Sequence, residues 1–428
     1  MRVLHITAHL GGGVGKVLSG VVAESARRRD DTRHTIACLE VPEKRTFLDR
    51  VLSWGGEVLI APSFDRLAEE VDRADIVQVE WWHHPTVAGW LCSGVLPSMR
   101  LLVWCHVSGL YPPVIPPEFV LSVHRFLFTS PCSWEHPTLA ALRPRLKGRA
   151  EVVFGSGGFD DLPPPPERVF ETSLQVGYVG SLNFSKLHPR ILDFVQAARL
   201  PNFRLALVGD PVTGQQLIAE AAMMGVRNRL DVRGYREQVS AELVGFDVFA
   251  YLLNPFHYGT TENALLEAMA MGVVPIVLNN PAERCVVSHG ETGVIVNGPS
   301  QFADALDWLA AHPLERARLS ANASRLVRRR FAIGRTVAGL EHHYQRLFTE
   351  PKRSFDFRPI FGEEPADWFR SCQGDEAWRF QQNGMLHDAA RRGPAVLYER
   401  TKGSVFHYHA VYQADERLAR WAKQLDAA

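Results

Sequence analysis

Short apolar, β-branched runs alternate along the chain with segments whose apolar residues recur every three or four positions. In the first third the runs are RVLHIT, HTIACLE, EVLIAP, DIVQVEW, LLVWCHV, FLFTS and EVVFGS. After the first of them, Val14, Val17, Leu18, Val21 and Val22 mark one face of a helix that reaches Arg28. Such alternation predicts a parallel sheet with helices on both faces. Glycines and four consecutive prolines, Pro163 to Pro166, then break both periods and predict an interdomain hinge. The pattern restarts with LQVGYVGS, RLALVGD, RLDVRGY, DVFAYLL, VVPIVLN and GVIVN, and helical spacing from Pro299 to about Phe348 closes this second series. From Pro351 the chain holds twelve aromatic residues, too many for a disordered tail. There Ser404–His409 alternates as a strand does, and Asp415–Leu425 has helical spacing. The expected fold class is α/β: two doubly wound, Rossmann-like domains facing across a cleft, residues 1–160 and 161–350, with a small α+β appendage at 351–428.

Composition narrows the partners. Lys plus Arg and Asp plus Glu number 47 each, so no overall field draws in nucleic acid. Contact with an anionic membrane then has to come from a local cluster such as Arg143–Arg149. The six cysteines are scattered, none as C-x-x-C, and read as reduced core residues of a cytoplasmic protein. No apolar stretch approaches the ~18 residues of a membrane span. The expected location is the cytoplasm, with peripheral attachment at the inner face of the membrane left open by the basic cluster.

Two stretches carry candidate chemistry. LGGGVGKVL, between the first strand and the first helix, fits neither the Walker loop nor the dinucleotide fingerprint. Its glycines either bring backbone N–H groups to a phosphate or sugar, or simply make a tight turn. In YLLNPFHYGTTENALLEAMAMGVVPIVLNN, Thr260 and Thr261 are candidate helix caps, strong helix formers follow, and Gly272 ends the run. The helix N-terminus at the strand ends predicts an anion site suited to a nucleotide diphosphate. Asn263 and Glu267 share a face, so Glu267 either reaches ribose hydroxyls or is solvated. In the first domain His106 ends LLVWCHV, where a histidine can bond a sugar hydroxyl. Trp81, Trp82, His83 and His84 follow DIVQVE and form a candidate acceptor shelf of rings and polar groups. The adjacent histidines lack acidic or cysteine ligands at recognised spacing, so no metal and no cofactor is expected.

The stretch ENALLEAMAMGVVPIV resembles the signature helix of the family-4 glycosyltransferases, retaining enzymes of the two-Rossmann GT-B fold. Their pattern is an acid, seven residues, then Glu-Ala-Met-Ala-x-Gly. The resemblance covers roughly residues 1–348 and implies roles for particular residues. Glu267 matches the acid that binds the nucleotide ribose. The acid that faces the donor sugar falls on Gly259, a departure for which Glu262 or His257 could stand in. VGYVGSLNFSKLHPRILDFV is similar to the family's diphosphate clamp, with Lys186 matching its lysine and Ser181 replacing its arginine; Arg204 or Arg236 could substitute. Gly234, Tyr235 and Arg236 would contact the base. Gly12 and Gly13 match the loop that lies against donor phosphate and acceptor, and His106 matches a histidine beside the reacting sugar. The implied activity is metal-independent transfer of a hexose, with retention, from a nucleotide sugar such as a UDP- or GDP-sugar. The acceptor would be a glycan, a lipid-linked or a small molecule, as in polysaccharide biosynthesis. The departures at Gly259 and Ser181 leave open a non-catalytic, sugar-nucleotide-binding partner of another transferase and, more remotely, an epimerase.

Overall fold

The computed structural model describes residues 1–29, 31–159, 162–166, 174–210, 212–387 and 399–427. Its strands are β1 (Arg2–Thr7), β2 (Arg33–Cys38), β3 (Glu57–Ile60), β4 (Ile76–Trp81), β5 (Leu96–Met99), β6 (Leu101–Cys105), β7 (Arg125–Phe128) and β8 (Ala150–Val152) in the first third. They continue with β9 (Val176–Val179), β10 (Leu205–Val208), β11 (Leu230–Gly234), β12 (Val248–Tyr251), β13 (Val274–Leu278), β14 (Val294–Val296) and, near the end, β15 (Arg353–Phe355). One parallel sheet has the order β3-β2-β1-β4-β6-β7-β8 and the other β11-β10-β9-β12-β13-β14. Each reverses direction once, between β1 and β4 and between β9 and β12. At such a reversal the flanking loops part at the carboxyl ends of the strands, and ligands bind there.

The chain divides into two compact units. The first joins Met1–Gly157 to Ile333–Ala428, and the second is Gly158–Ala332. The boundary expected near 350 therefore moves. The helix Ile333–Phe348 packs through Ile333, Val337, Leu340, Tyr344 and Leu347 against Val17 and Val21 of the helix Gly12–Arg28 and Leu102 and Trp104 of the first sheet. The expected hinge falls at the junction Gly157–Gly158, although Asp160, Asp161 and residues 167–173 lie outside the described residues.

The segment after Pro351 also belongs to the first unit. Its one strand among the described residues, β15, pairs antiparallel with β5 instead of with a partner of its own. Ser404–His409 is not a strand: Val405–Val411 is helical, and the Ser404 hydroxyl caps it by accepting from the His407 N–H. The helix Glu416–Asp426 matches expectation, with Asp415 as its cap. The six cysteines form no disulfide, and all are buried except the half-buried Cys285. Among the described residues no helix is long and apolar enough to cross a membrane. The basic cluster is a short 3-10 turn, Arg143–Leu146, rather than an open loop; Arg143 lies over the Trp134 ring, and Arg149 donates to the Leu121 and Val123 carbonyls.

Candidate active site

In the second unit the switch between β9 and β12 sets two segments side by side. The chain after β9 runs along the extension of β12, with the Asn254 N–H donating to the Lys186 carbonyl at 2.8 Å. Lys186 Nζ stands 2.6 and 2.8 Å from the two oxygens of Glu262, and the Tyr251 hydroxyl donates to the same carboxylate at 2.6 Å. Burial works against both charges. The Glu262 carboxylate nevertheless holds the Lys186 ammonium above the usual lysine range, and Lys186 holds the Glu262 carboxyl below the usual carboxylate range. Burial and then the Glu262 charge push Tyr251 well up, so it remains a hydroxyl donor.

Glu262, not Thr260 or Thr261, is the residue before the helix Asn263–Ala270, and its side chain makes no capping bond. The carboxylate is spent on Lys186 and Tyr251, which is why the cap expected from the threonine hydroxyls is displaced. Thr260 is buried and Thr261 half-buried. Asn263 and Glu267 lie one turn apart on that helix, both half-buried. The gap at Gly259 has a physical counterpart: a Cβ placed there would lie 1.8 Å from Glu262 Oε1. Glu262 thus occupies the volume that a side chain at 259 would need. His257, the other candidate, is held by other partners. Its Nδ1 accepts from the Gly259 N–H at 3.0 Å, and its Nε2 lies 3.1 Å from the buried Glu283, a partner that the spacing of the sequence did not single out.

The remaining expected donor residues surround this pair. Ser181 is exposed, and its carbonyl accepts from the Tyr178 hydroxyl at 3.1 Å. Just before it, the Gly180 carbonyl would stand 1.8 Å from a Cβ on Gly209, whose φ is +153°, so these loops close only over glycine. Gly234 ends β11 with φ +72°, which turns the chain and leaves Tyr235 55% exposed. Arg236 lies 3.3 Å from Glu242. Arg204 precedes β10 and donates to the Asn228 carbonyl, at the amino ends of the strands and so on the wrong edge for a phosphate cation.

In the first unit, Gly11 precedes the helix Gly12–Arg28, and Gly12 has φ +56°. Gly12 and Gly13 are exposed, and Gly15 allows close approach, since a Cβ there would lie 2.7 Å from the Leu10 carbonyl carbon. The glycines therefore meet the needs of the turn, with the exposed pair left at the helix start. His106 follows β6 and is only 10% exposed; its Nε2 lies 2.6 Å from Glu80 Oε2. Glu80 was not expected in this role.

The acceptor shelf is not present in the expected form. Trp81 is fully buried between Phe119 and Phe361. His83 is buried too, with Nε2 3.4 Å from the Trp368 carbonyl and its ring against Tyr408. His84, also buried, caps the helix Pro85–Leu91. The aromatic segment after Pro351 covers this surface and leaves Trp82 half-buried.

The structure brings one group of metal-type donors together among the described residues: Glu40, His84 and His407 place donor atoms within 4.8 Å of one another. Lys402 Nζ stands 2.9 Å from His9 Nε2 and 3.4 Å from Glu43, and the Gly403 N–H donates to His407 Nδ1. Burial, and then the neighbouring positive groups, push His84 down to about 2 and His9 and His407 to about 4. The Gly403 bond takes up only Nδ1 of His407, and His84 Nε2 has no hydrogen-bond partner among the described residues and lies 3.6 Å from Glu40.

Residues 173–312, which contain Lys186, Gly234–Arg236, Glu262 and Glu267, match the family described as glycosyl transferases group 1. No curated protein matches the chain in sequence. Among solved structures, HepE from Anabaena in complex with UDP-glucose is similar with a TM-score of 0.61 at 14% identity, over 81% of this chain and 100% of that one. A glycosyltransferase from Rickettsia africae gives 0.60 at 15% identity, over 82% and 99%. Sucrose-phosphate synthase from Thermosynechococcus elongatus gives 0.59 at 15% identity, over 81% and 99%. The two parallel sheets and the likeness to these structures show the GT-B fold, and within it residues 173–312 match the group 1 glycosyltransferases.

Proposed function

We propose that the protein is a glycosyltransferase that moves a sugar from a nucleoside-diphosphate donor, held by the second unit, to an acceptor hydroxyl at the first. The reading is carried by the Lys186–Glu262 pair at the β9/β12 switch, inside the residues matched by the glycosyltransferase family. The donor diphosphate lies at the start of the helix Asn263–Ala270, where the N–H groups of the first turn and Lys186 take up the charge that grows on the leaving group. These groups supply positive charge without a metal. Glu262 takes the place of the missing acid at Gly259 and faces the donor sugar, while Glu267 accepts from the ribose hydroxyls. His106 accepts from a sugar hydroxyl near the reacting carbon. Transfer with retention then passes the acceptor's proton to the leaving phosphate oxygen, and no separate base is needed.

A panel of UDP-, GDP-, ADP- and TDP-sugars tests the reading by thermal shift and by nucleotide release. One donor is expected to raise the midpoint and be turned over. Glu267→Gln is expected to bind it more weakly by about 1.5–3 kcal/mol, the worth of a hydrogen bond to a charged group. Engagement of Lys186 by Glu262, together with the missing acid, favours one alternative, a non-catalytic sugar-nucleotide-binding partner. Binding without release across a broad acceptor panel selects it. For a lipid-linked acceptor, exposed Arg143, Arg145 and Lys147 supply a contact to anionic lipid. Vesicle flotation independent of anionic lipid and of salt removes that part.

A further inference from the structure

We infer that Glu80 is a positioning residue for His106, holding the imidazole with its hydrogen on Nε2 and its lone pair on Nδ1. The inference rests on the reading of His106 as a residue that meets the sugar. β4 and β6 are neighbours in register, Glu80 opposite Trp104 and Trp81 opposite Cys105, and the His106 N–H continues the ladder to the Trp81 carbonyl at 2.8 Å. Both side chains therefore emerge at the same carboxyl edge. Glu80 is fully buried and has no arginine or lysine partner among the described residues. One oxygen lies 2.6 Å from His106 Nε2; the other accepts from Gln78 Nε2 at 2.6 Å and lies 3.4 Å from His5 Nδ1.

These partners are themselves fixed. Gln78 shares the Glu80 face of β4, two residues away, and accepts from the Tyr344 hydroxyl. His5 Nε2 lies 2.9 Å from His34 Nδ1, and His34 Nε2 lies 3.1 Å from the Ser25 hydroxyl. Burial opposes the charge on Glu80, but the hydrogen bonds from His106 and His5 outweigh it and keep the carboxyl below its usual range. An ionised carboxylate can only accept, so the His106 nitrogen that faces it carries the hydrogen. Nδ1 is left on the side of Gly155, where an added Cβ would lie 3.8 Å from it, and has no partner among the described residues. The site therefore presents an acceptor nitrogen to a sugar hydroxyl. A proton that reaches this nitrogen meets a buried counter-charge across the ring. Without Glu80 either ring nitrogen could carry the hydrogen, and the ring could turn.

The test uses the full chain with 15N-labelled histidine rings at about pH 8, His106 being assigned by the resonance lost in His106→Asn. Wild type is expected to show a protonated Nε2 and a bare Nδ1, and Glu80→Gln a mixture, because an amide both donates and accepts. A wild-type ring with its hydrogen on Nδ1, or on both nitrogens, overturns the proposal even if Glu80→Gln does not fold. With the donor found above, Glu80→Gln is expected to lower kcat roughly ten- to a hundred-fold with little change in KM. It is expected to add nothing in a His106→Asn background, because the two act as a unit. Unchanged kcat in folded Glu80→Gln, with His106 still required, also overturns it. Unchanged kcat in His106→Asn instead overturns the role given to His106, while the ring spectra still decide whether Glu80 orders it.

Discussion

A methyl group on residue 259 would stand 1.8 Å from the Glu262 carboxylate, so glycine at one position and glutamate at the other form a single choice. Gly259→Ala is expected to push the carboxylate off Lys186 and Tyr251 and to destabilise the second unit by about 1–3 kcal/mol, as overpacking does. The exchange Gly259→Glu with Glu262→Gly is expected to recover only part of that loss, because a Cβ at 259 would still lie 2.7 Å from His257 Nδ1. Calorimetry of the three proteins checks both, and an unchanged midpoint in Gly259→Ala refutes them. Lys186→Ala carries a second expectation. It removes a charge-assisted phosphate contact, so affinity for the nucleoside diphosphate should fall much more than affinity for the nucleoside. It also leaves Glu262 buried without its cation. The Lys186 charge lowers the Glu262 carboxyl, so this stabilisation is present above the usual carboxylate range and is lost as pH falls through the lowered value. In Lys186→Ala burial is no longer opposed by that cation and raises the carboxyl, so the loss on acidification should shrink or reverse, which acid titrations of stability for the two proteins would reveal.

At the scale of elements, the helix Val405–Val411 shows where local pattern misleads. In VFHYHAV, Phe406 and Tyr408 fit period two, but Val405 and Tyr408, three apart, share a face only in a helix, and all three are buried there. The deciding signal was Ser404, whose hydroxyl meets the His407 N–H. Ser404→Ala should cost about 1 kcal/mol, read as a lower midpoint for the first unit. The parallel strands were legible because they are continuous apolar runs, buried on both faces, as in VFAY of β12. β5 was not, because Pro97 interrupts a short edge whose partner, β15, comes over 250 residues later. The same distance hid the fate of Trp81 and His83: their cover comes from Phe361, Trp368 and Tyr408, and no local window contains both sides. Lys186 was found through its motif, but its partner's place at the helix start was not, since a bond between residues 186 and 262 overrode the capping preference of the threonines.

At the scale of the whole molecule, neutral histidines gather in the first unit. Burial above all pushes His34 down to about 3, His83 and His343 to about 4, and His84 to about 2. An unfolded chain takes up these protons near the ordinary histidine value, and the folded unit refuses them until the lowered value is reached. Stability is therefore full above about pH 6.5 and lost as pH falls toward 4. His34, His83 and His84, all buried, should each remove about 1.4 kcal/mol per pH unit in that window. Calorimetry at stepped pH should show the first unit's transition moving down; a flat midpoint between about pH 7 and 5 would contradict the neutral rings.

The first unit is interrupted: the chain leaves it at Gly157 and returns at Ile333. A ribosome therefore delivers the second unit whole before it delivers the helix Ile333–Phe348 and the aromatic cover that close the first. Through all that synthesis the first sheet waits with Trp104, Trp81 and Phe119 lacking their late partners. A nascent chain released before about residue 350 is thus a finished second unit tethered to a sticky, half-built first one, the species a holdase chaperone would grip.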